Sequence, residues 1–235
     1  NQTDRVIRAV AGEPGSWFVG MGRSKMPMVL DEKGELFFGP EYRFEYGKAD
    51  ILRRGNMGFI LTMGCLVPRM VKVADDLRKT GLDIGVINVS CPTALDTEAF
   101  ATAMATGFIV TVEDHHADTG LGATVALHLA SAGYRGKFFR RGVTEYGSSG
   151  EPDFLFEQQG IGVRIVFLES AESVENRGRG LGTGVGEVAR NKVGHERTLG
   201  QDGRIRQPLG PPGGHFLRFQ LPDSCQFGKG LDFHA

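Results

Sequence analysis

The chain has 235 residues, 40% of them hydrophobic and 23% charged, and its 27 basic residues nearly cancel its 28 acidic ones for a net charge of -1. That is the profile of a globular protein of one or two domains, without the positive field that would point to nucleic acid or an anionic membrane. No apolar run approaches the roughly 20 residues that span a bilayer, the start lacks signal-peptide regions, and Cys65, Cys91 and Cys225 are too few and too scattered for a disulfide framework. A cytoplasmic chain with reduced thiols is expected. It begins at Asn1 rather than Met, which reads as truncation at the amino end.

Residues 16–30, SWFVGMGRSKMPMVL, predict a strand, a turn and an extended stretch toward Pro27. Residues 31–55 are richer in charge and carry turn signals at Lys33-Gly34 and Gly39-Pro40. They read as a connector that leads into a new strand, with a domain boundary in it.

Beyond it, short apolar runs alternate with helical spacing. GFILTMG (58–64) predicts a strand, and Val67, Met70, Val71, Ala74 and Leu77 predict a helix that tolerates Pro68 in its first turn and ends at Gly81. IGVINVS (84–90) is a second strand. Asp96 is placed to cap a short helix around Ala99, and FIVTVE (108–113) is a third strand. Gly120 and Gly122 open a helix through Val125, Ala126, Leu129 and Ala130, GKFFRRGV (136–143) is a fourth strand, and Glu151 to Gln159 predicts a last helix. Continuous apolar strands joined by helical crossovers imply a parallel sheet covered on both faces, hence a three-layer α/β/α domain with a mostly parallel sheet.

From residue 164 onward the pattern lapses. The last 72 residues hold 13 glycines, and after Ile165 to Leu168 no apolar period persists. Little packed structure is expected there, either because the tail is irregular or because it is translated out of frame.

Five polar groups, Glu113, Asp114, His115, His116 and Asp118, sit where the third strand meets the following helix, the usual ligand position of α/β proteins. A metal site fits the residue types but not the spacing, since adjacent histidines diverge and neither H-x-H nor H-x-x-x-H occurs. His115 could do acid-base work; a histidine that orders the turn is the commoner outcome, and the structural reading leads. Gly120 and Gly122 lack the third glycine of a dinucleotide fingerprint, that place being Val125, and suit a tight turn instead. Glycines 178 to 186 match no phosphate loop. Arg23, with Lys25 close by, could grip a phosphate or carboxylate or be a solvated pair.

Several strings occur in one order: GRSKMP (22–27), FGPEYRFEYGKADILRRG (38–55), GFILTMGCLV (58–67), GVINVSCPTALD (85–96), TVEDHHADTGLG (111–122) and GVTEYGSSGEPDFLFEQQGI (142–161). Together they resemble the carboxyl-terminal part of transketolase, especially the split form with separate amino- and carboxyl-terminal subunits. 1-Deoxyxylulose-5-phosphate synthase and the beta subunits of 2-oxo acid dehydrogenases share the domain. The resemblance divides the chain into a remnant of the pyrimidine-binding domain with its last strand (1–30), a linker (31–55), the carboxyl-terminal domain (56–163) and an atypical tail (164–235).

It implies transfer of a two-carbon ketol unit between sugar phosphates, with thiamine diphosphate and a divalent metal (Mg or Ca) in the complete enzyme. It also implies partnership with an amino-terminal subunit or the missing domains, in a homodimer or heterotetramer. The family's GDG diphosphate loop is absent from these 235 residues, and the resemblance supplies no counterpart for the catalytic glutamate. The chain alone is therefore expected to bind no cofactor and to be inactive. Of site residues, the resemblance carries over Arg23 as a contact to substrate phosphate, although Gly22 stands where the family has serine. It makes Glu113, Asp114, His115, Gly120 and Gly122 signature residues of a domain associated with assembly, with no catalytic residue.

Overall fold

The computed structural model describes residues 2–22 and 25–162, together with the backbone at 198–199 and 205–206. Two compact units divide at Ala189 and Arg190. In the second, β6 (Thr198–Leu199) pairs antiparallel with β7 (Ile205–Arg206). The expectation for the rest of the tail lies outside the described residues.

The first unit is built on a five-stranded sheet of β1 (Asp50–Arg53), β2 (Gly58–Thr62), β3 (Ile84–Asn88), β4 (Phe108–His116) and β5 (Lys137–Val143). Their order across the sheet is β1-β3-β2-β4-β5. β3, β2, β4 and β5 are mutually parallel, and β1 runs antiparallel to β3 at the edge.

Strict alternation along the strands sorts their side chains into two cores. Ile60, Ile84, Val86, Val110 and Val112 pack under α2 (Val67–Lys79). Phe59, Leu61, Ile87 and Ile109 pack under α3 (Thr97–Ala105) and α4 (Leu121–Ser131). Helices thus cover both faces, and the three-layer, mostly parallel α/β architecture is what forms. α5 (Pro152–Gln158) follows β5 and lays Phe156 against the α2 side.

Asp96 caps α3 as its position predicts, accepting the amides of Glu98 (3.1 Å) and Ala99 (3.2 Å) through Oδ1 and that of Ala49 (3.1 Å) through Oδ2. Burial raises its pKa, but these amides and the Lys48 ammonium outweigh that and hold the carboxyl below its ordinary value. Its stabilisation is therefore complete above the ordinary carboxylate range and is lost as pH falls through the depressed pKa. Asp96→Ala is expected to lower unfolding free energy by about 1–2 kcal/mol at neutral pH. In chemical denaturation that gap should narrow below about pH 4; a gap independent of pH would contradict the capping assignment.

Three features differ from the expectations drawn from sequence. The strand expected at the start of residues 16–30 does not form among the described residues: none of the described strands pairs with it, and an unpaired strand leaves its backbone groups unsatisfied. Residues 2–10 instead make α1 (Gln2–Val10), an element without a counterpart among the predicted ones, although Val6, Ile7 and Val10 share a face and Asp4 pairs with Arg8 at 3.0 Å. The segment read as a connector is anchored by the buried side chains of Phe38, Leu52 and Arg53. It contributes β1, buries Phe38, and stacks Phe38 edge-on against Tyr42 at 4.9 Å.

Candidate functional site

The chain leaves β2 for β3 on one side, and β4 lies on the other side of β2. The carboxyl ends of β2 and β4 therefore flank the point where the winding direction reverses, the position at which open parallel sheets leave a crevice. Residues 62–65 and 113–116 lie there.

Four of the five cluster residues, Glu113 to His116, belong to β4 itself, which runs on through His116 beyond the expected end at Glu113, and Asp118 lies in the turn that follows. Strand alternation then sends neighbouring side chains to opposite faces. Glu113, 1% exposed, turns toward α4 and accepts two amides of that helix's first turn, Leu121 N–H at Oε2 (2.6 Å) and Gly122 N–H at Oε1 (2.7 Å). Burial raises its pKa above the ordinary value while the two amides oppose the rise.

Gly120 is dictated by this carboxylate, and Gly122 by Thr111 first and then by Arg140 and Glu113. A Cβ on Gly120 would fall 1.9 Å from Glu113 Oε2, and one on Gly122 would fall 2.8 Å from Thr111 Oγ1 and 3.1 Å from Glu113 Oε1. The sequence Glu113…Gly120-x-Gly122 thus joins a strand end to a helix start through a side chain that caps helix dipole and amides together.

Asp114 points the other way. Its Oδ2 accepts a hydrogen bond from Cys65 Sγ at 3.0 Å, and its Oδ1 lies 3.2 Å from His115 Nδ1. Burial, and then the hydrogen bond to Asp114, push the Cys65 thiol up to about 12, which favours its protonated, donating form at neutral pH. His116 Nδ1 accepts the Asp118 amide at 3.2 Å, while Asp118 pairs with Arg140 at 3.2 Å. Apart from the approach of Asp114 to His115, the five neighbours in sequence have separate partners and do not converge on one point. Among the described residues no group of three His, Cys, Asp or Glu side chains could hold a metal ion. Arg23 falls outside the described residues; Gly22 and Lys25 on either side of it are exposed.

Two polar clusters are not visible from sequence spacing. Asn88 at the end of β3 donates to Asp50 (3.0 Å), Ser90 (3.0 Å) and Gln2 (3.1 Å), and Gln2 donates to Asp50 (3.0 Å) and Ser90 (2.7 Å). Arg53, 5% exposed, forms a fork with Asp75 at 2.7 and 3.1 Å and also donates to the carbonyl of Leu30 (2.9 Å). A polar residue closing an apolar strand was the available signal for Asn88; Arg53 gave none, because Asp75 lies 22 positions away.

Fold and crevice define an open, mostly parallel α/β domain with a switch point at the strand ends. Residues 47–166 match the model of the transketolase C-terminal domain. The chain belongs to that family.

A Methanocaldococcus jannaschii protein described as a transketolase C-terminal section is 31% identical over 160 residues, covering 68% of this chain and 48% of that one. The pyruvate dehydrogenase E1 component subunit beta of Staphylococcus aureus is 32% identical over 116 residues, covering 46% and 36%. Among solved structures, a split-gene transketolase in an inactive beta4 tetramer superposes with a TM-score of 0.66 at 27% identity, covering 74% of this chain and 55% of that chain. The chain spans about half the length, or less, of the curated relatives it matches.

Proposed function

We propose that this chain is a carboxyl-terminal portion of a transketolase, working with an amino-terminal subunit to move a two-carbon ketol unit between sugar phosphates. The match over 47–166 carries this reading, and the likeness to a split-gene transketolase supports a subunit arrangement. On this reading residues 1–30 are a remnant of the pyrimidine-binding domain, 31–55 a linker, 56–163 the carboxyl-terminal domain and 164–235 an appendage. It is a cytoplasmic protein, in keeping with three cysteines in no disulfide pattern and with no described helix long and apolar enough to cross a membrane.

Thiamine diphosphate would supply the carbanion chemistry in the complete enzyme. The described residues do not fit it. They hold no convergent set of metal ligands, the 235 residues contain no GDG loop, and Glu113, the buried glutamate of the crevice, is occupied by two helix amides. The family's cofactor machinery belongs on the partner.

What this chain supplies is a rigid docking domain, Glu113, Gly120 and Gly122 being structural, and Arg23 as the cation that meets substrate phosphate. Without the amino-terminal subunit it associates with itself, as its split-gene neighbour does in an inactive tetramer.

Calorimetric titration of thiamine diphosphate with Mg²⁺ tests the cofactor assignment. The chain alone should give no binding heat, whereas its mixture with an amino-terminal transketolase subunit should bind one cofactor per pair; saturable binding to the chain alone would overturn it. The 32% identity to a pyruvate dehydrogenase beta subunit favours a second reading. Decarboxylation of pyruvate by the reconstituted pair, with no use of ketose phosphates, would select it.

A further inference from the structure

At the carboxyl end of β3, four side chains close around one amide. Asn88, 1% exposed, ends the strand, and Asp50 stands opposite it on β1. Ser90 follows in the chain, and Tyr42 comes from the segment before β1. The occupant is the side chain of Gln2, brought in by α1 from far away in sequence. Its Nε2 donates to Ser90 Oγ (2.7 Å), Asp50 Oδ2 (3.0 Å) and, at longer range, the Tyr42 hydroxyl (3.4 Å), and its Oε1 accepts from Asn88 Nδ2 (3.1 Å). Both ends of the carboxamide are therefore read: acceptors meet its NH₂ and a donor meets its carbonyl. Turned over, the amide would set its oxygen against the Asp50 carboxylate, so one orientation fits.

The pocket depends on being filled. Burial raises the Asp50 pKa, while hydrogen bonds from Tyr42, Asn88, Gln2 and Ser90 oppose the rise; a carboxylate taken out of water needs such donors. The helix that carries Gln2 depends on the pocket in turn. Nine residues are too few for a helix that stands alone in water, and none of them is buried. Gln2, Arg5, Val6, Ala9 and Val10 form a half-buried face, and Arg5 pairs with its neighbour Asp4 at 3.4 Å.

We propose that Tyr42, Asp50, Asn88 and Ser90 form a carboxamide-binding pocket, and that Gln2 seated in it is the latch that keeps α1 on the domain. The pocket selects amide over acid. Gln2→Glu would bring a second carboxylate against Asp50, and two carboxylates at that distance cannot both stay ionised without a large cost. Asp50→Asn would reverse the preference, offering an amide donor to a carboxylate on α1. Because α1 leads through residues 11–22 to Arg23, the latch also fixes where that segment leaves the domain. The pocket holds its amide whatever reaction the assembled enzyme performs.

Hydrogen–deuterium exchange of the full chain, read at the amides of residues 6–11 with β2, β3 and β4 as internal reference, tests the latch. The α1 amides should be protected in the unaltered chain. Gln2→Glu should speed their exchange about 10- to 100-fold, the effect of losing a hydrogen bond to a charged group, and leave the three strands unchanged. Gln2→Glu combined with Asp50→Asn should return α1 to within about threefold of the unaltered rate. Protection that survives Gln2→Glu would overturn the proposal, as would α1 amides that exchange freely in the unaltered chain. Faster exchange shared equally by the strands would also count against it, by showing general destabilisation. A double variant as fast as Gln2→Glu would show that the pocket does not read the amide.

Discussion

Gly120→Ala is expected to cost about 4 kcal/mol and to lower the melting temperature by about 10 °C. The added Cβ lies 1.9 Å from an oxygen of Glu113, and that carboxylate cannot swing aside without releasing the Leu121 and Gly122 amides, each then buried without an acceptor. Such a loss is a large share of the 5–15 kcal/mol by which domains are commonly stable. Gly147, where a Cβ would meet nothing within 4 Å, is the control and should accept alanine within about 0.5 kcal/mol. A double-mutant cycle isolates the cause: in a Glu113→Ala background, Gly120→Ala should cost far less, because the clashing group is gone. Additive losses would show that the glycine answers to something other than the carboxylate.

The second large effect concerns activity. In the enzyme reconstituted with an amino-terminal subunit, Arg23→Ala should raise KM for phosphorylated sugars about 100-fold, equivalent to roughly 2.7 kcal/mol, and leave turnover of an unphosphorylated ketol donor nearly unchanged. A guanidinium binds phosphate through paired charge-assisted hydrogen bonds, so Arg23→Lys should recover only part of the loss. Equal losses with phosphorylated and unphosphorylated donors would show that Arg23 does not read phosphate.

The central sheet was legible because β2, β3 and the first six residues of β4 are buried throughout, and strands buried on both faces appear as unbroken apolar runs. Pro68, Asp96 and Gly120 then marked the helix starts. β1 was hidden: Asp50, Ile51, Leu52 and Arg53 alternate poorly, and the strand is held by β3 and by the fork from Arg53 to Asp75, partners remote in sequence. The strand foreseen near Trp17 failed for the converse reason, since apolar composition makes a strand only where a neighbouring edge exists.

At the crevice the residue types were visible and their disposition was not. Glu113 and Asp114 look like a pair of carboxylates in sequence, yet successive residues of a strand face opposite ways, so one meets α4 and the other meets Cys65. Of the cluster that resembled an active site, Glu113 joins β4 to α4, whereas Asp114 and Asp118 meet Cys65 and Arg140. Gly120 beyond the cluster is explained by the Glu113 carboxylate, a link no spacing rule would reveal.

On the function proposed, this chain completes an enzyme without containing its cofactor site. Ketol transfer from xylulose 5-phosphate to ribose 5-phosphate, followed with thiamine diphosphate and Mg²⁺ present, tests this most directly. These 235 residues should show no turnover alone, and activity should appear on titration with an amino-terminal transketolase subunit, saturating at equal proportions. Turnover by the purified chain alone would contradict the proposal, as would a mixture that binds both subunits and cofactor yet transfers nothing.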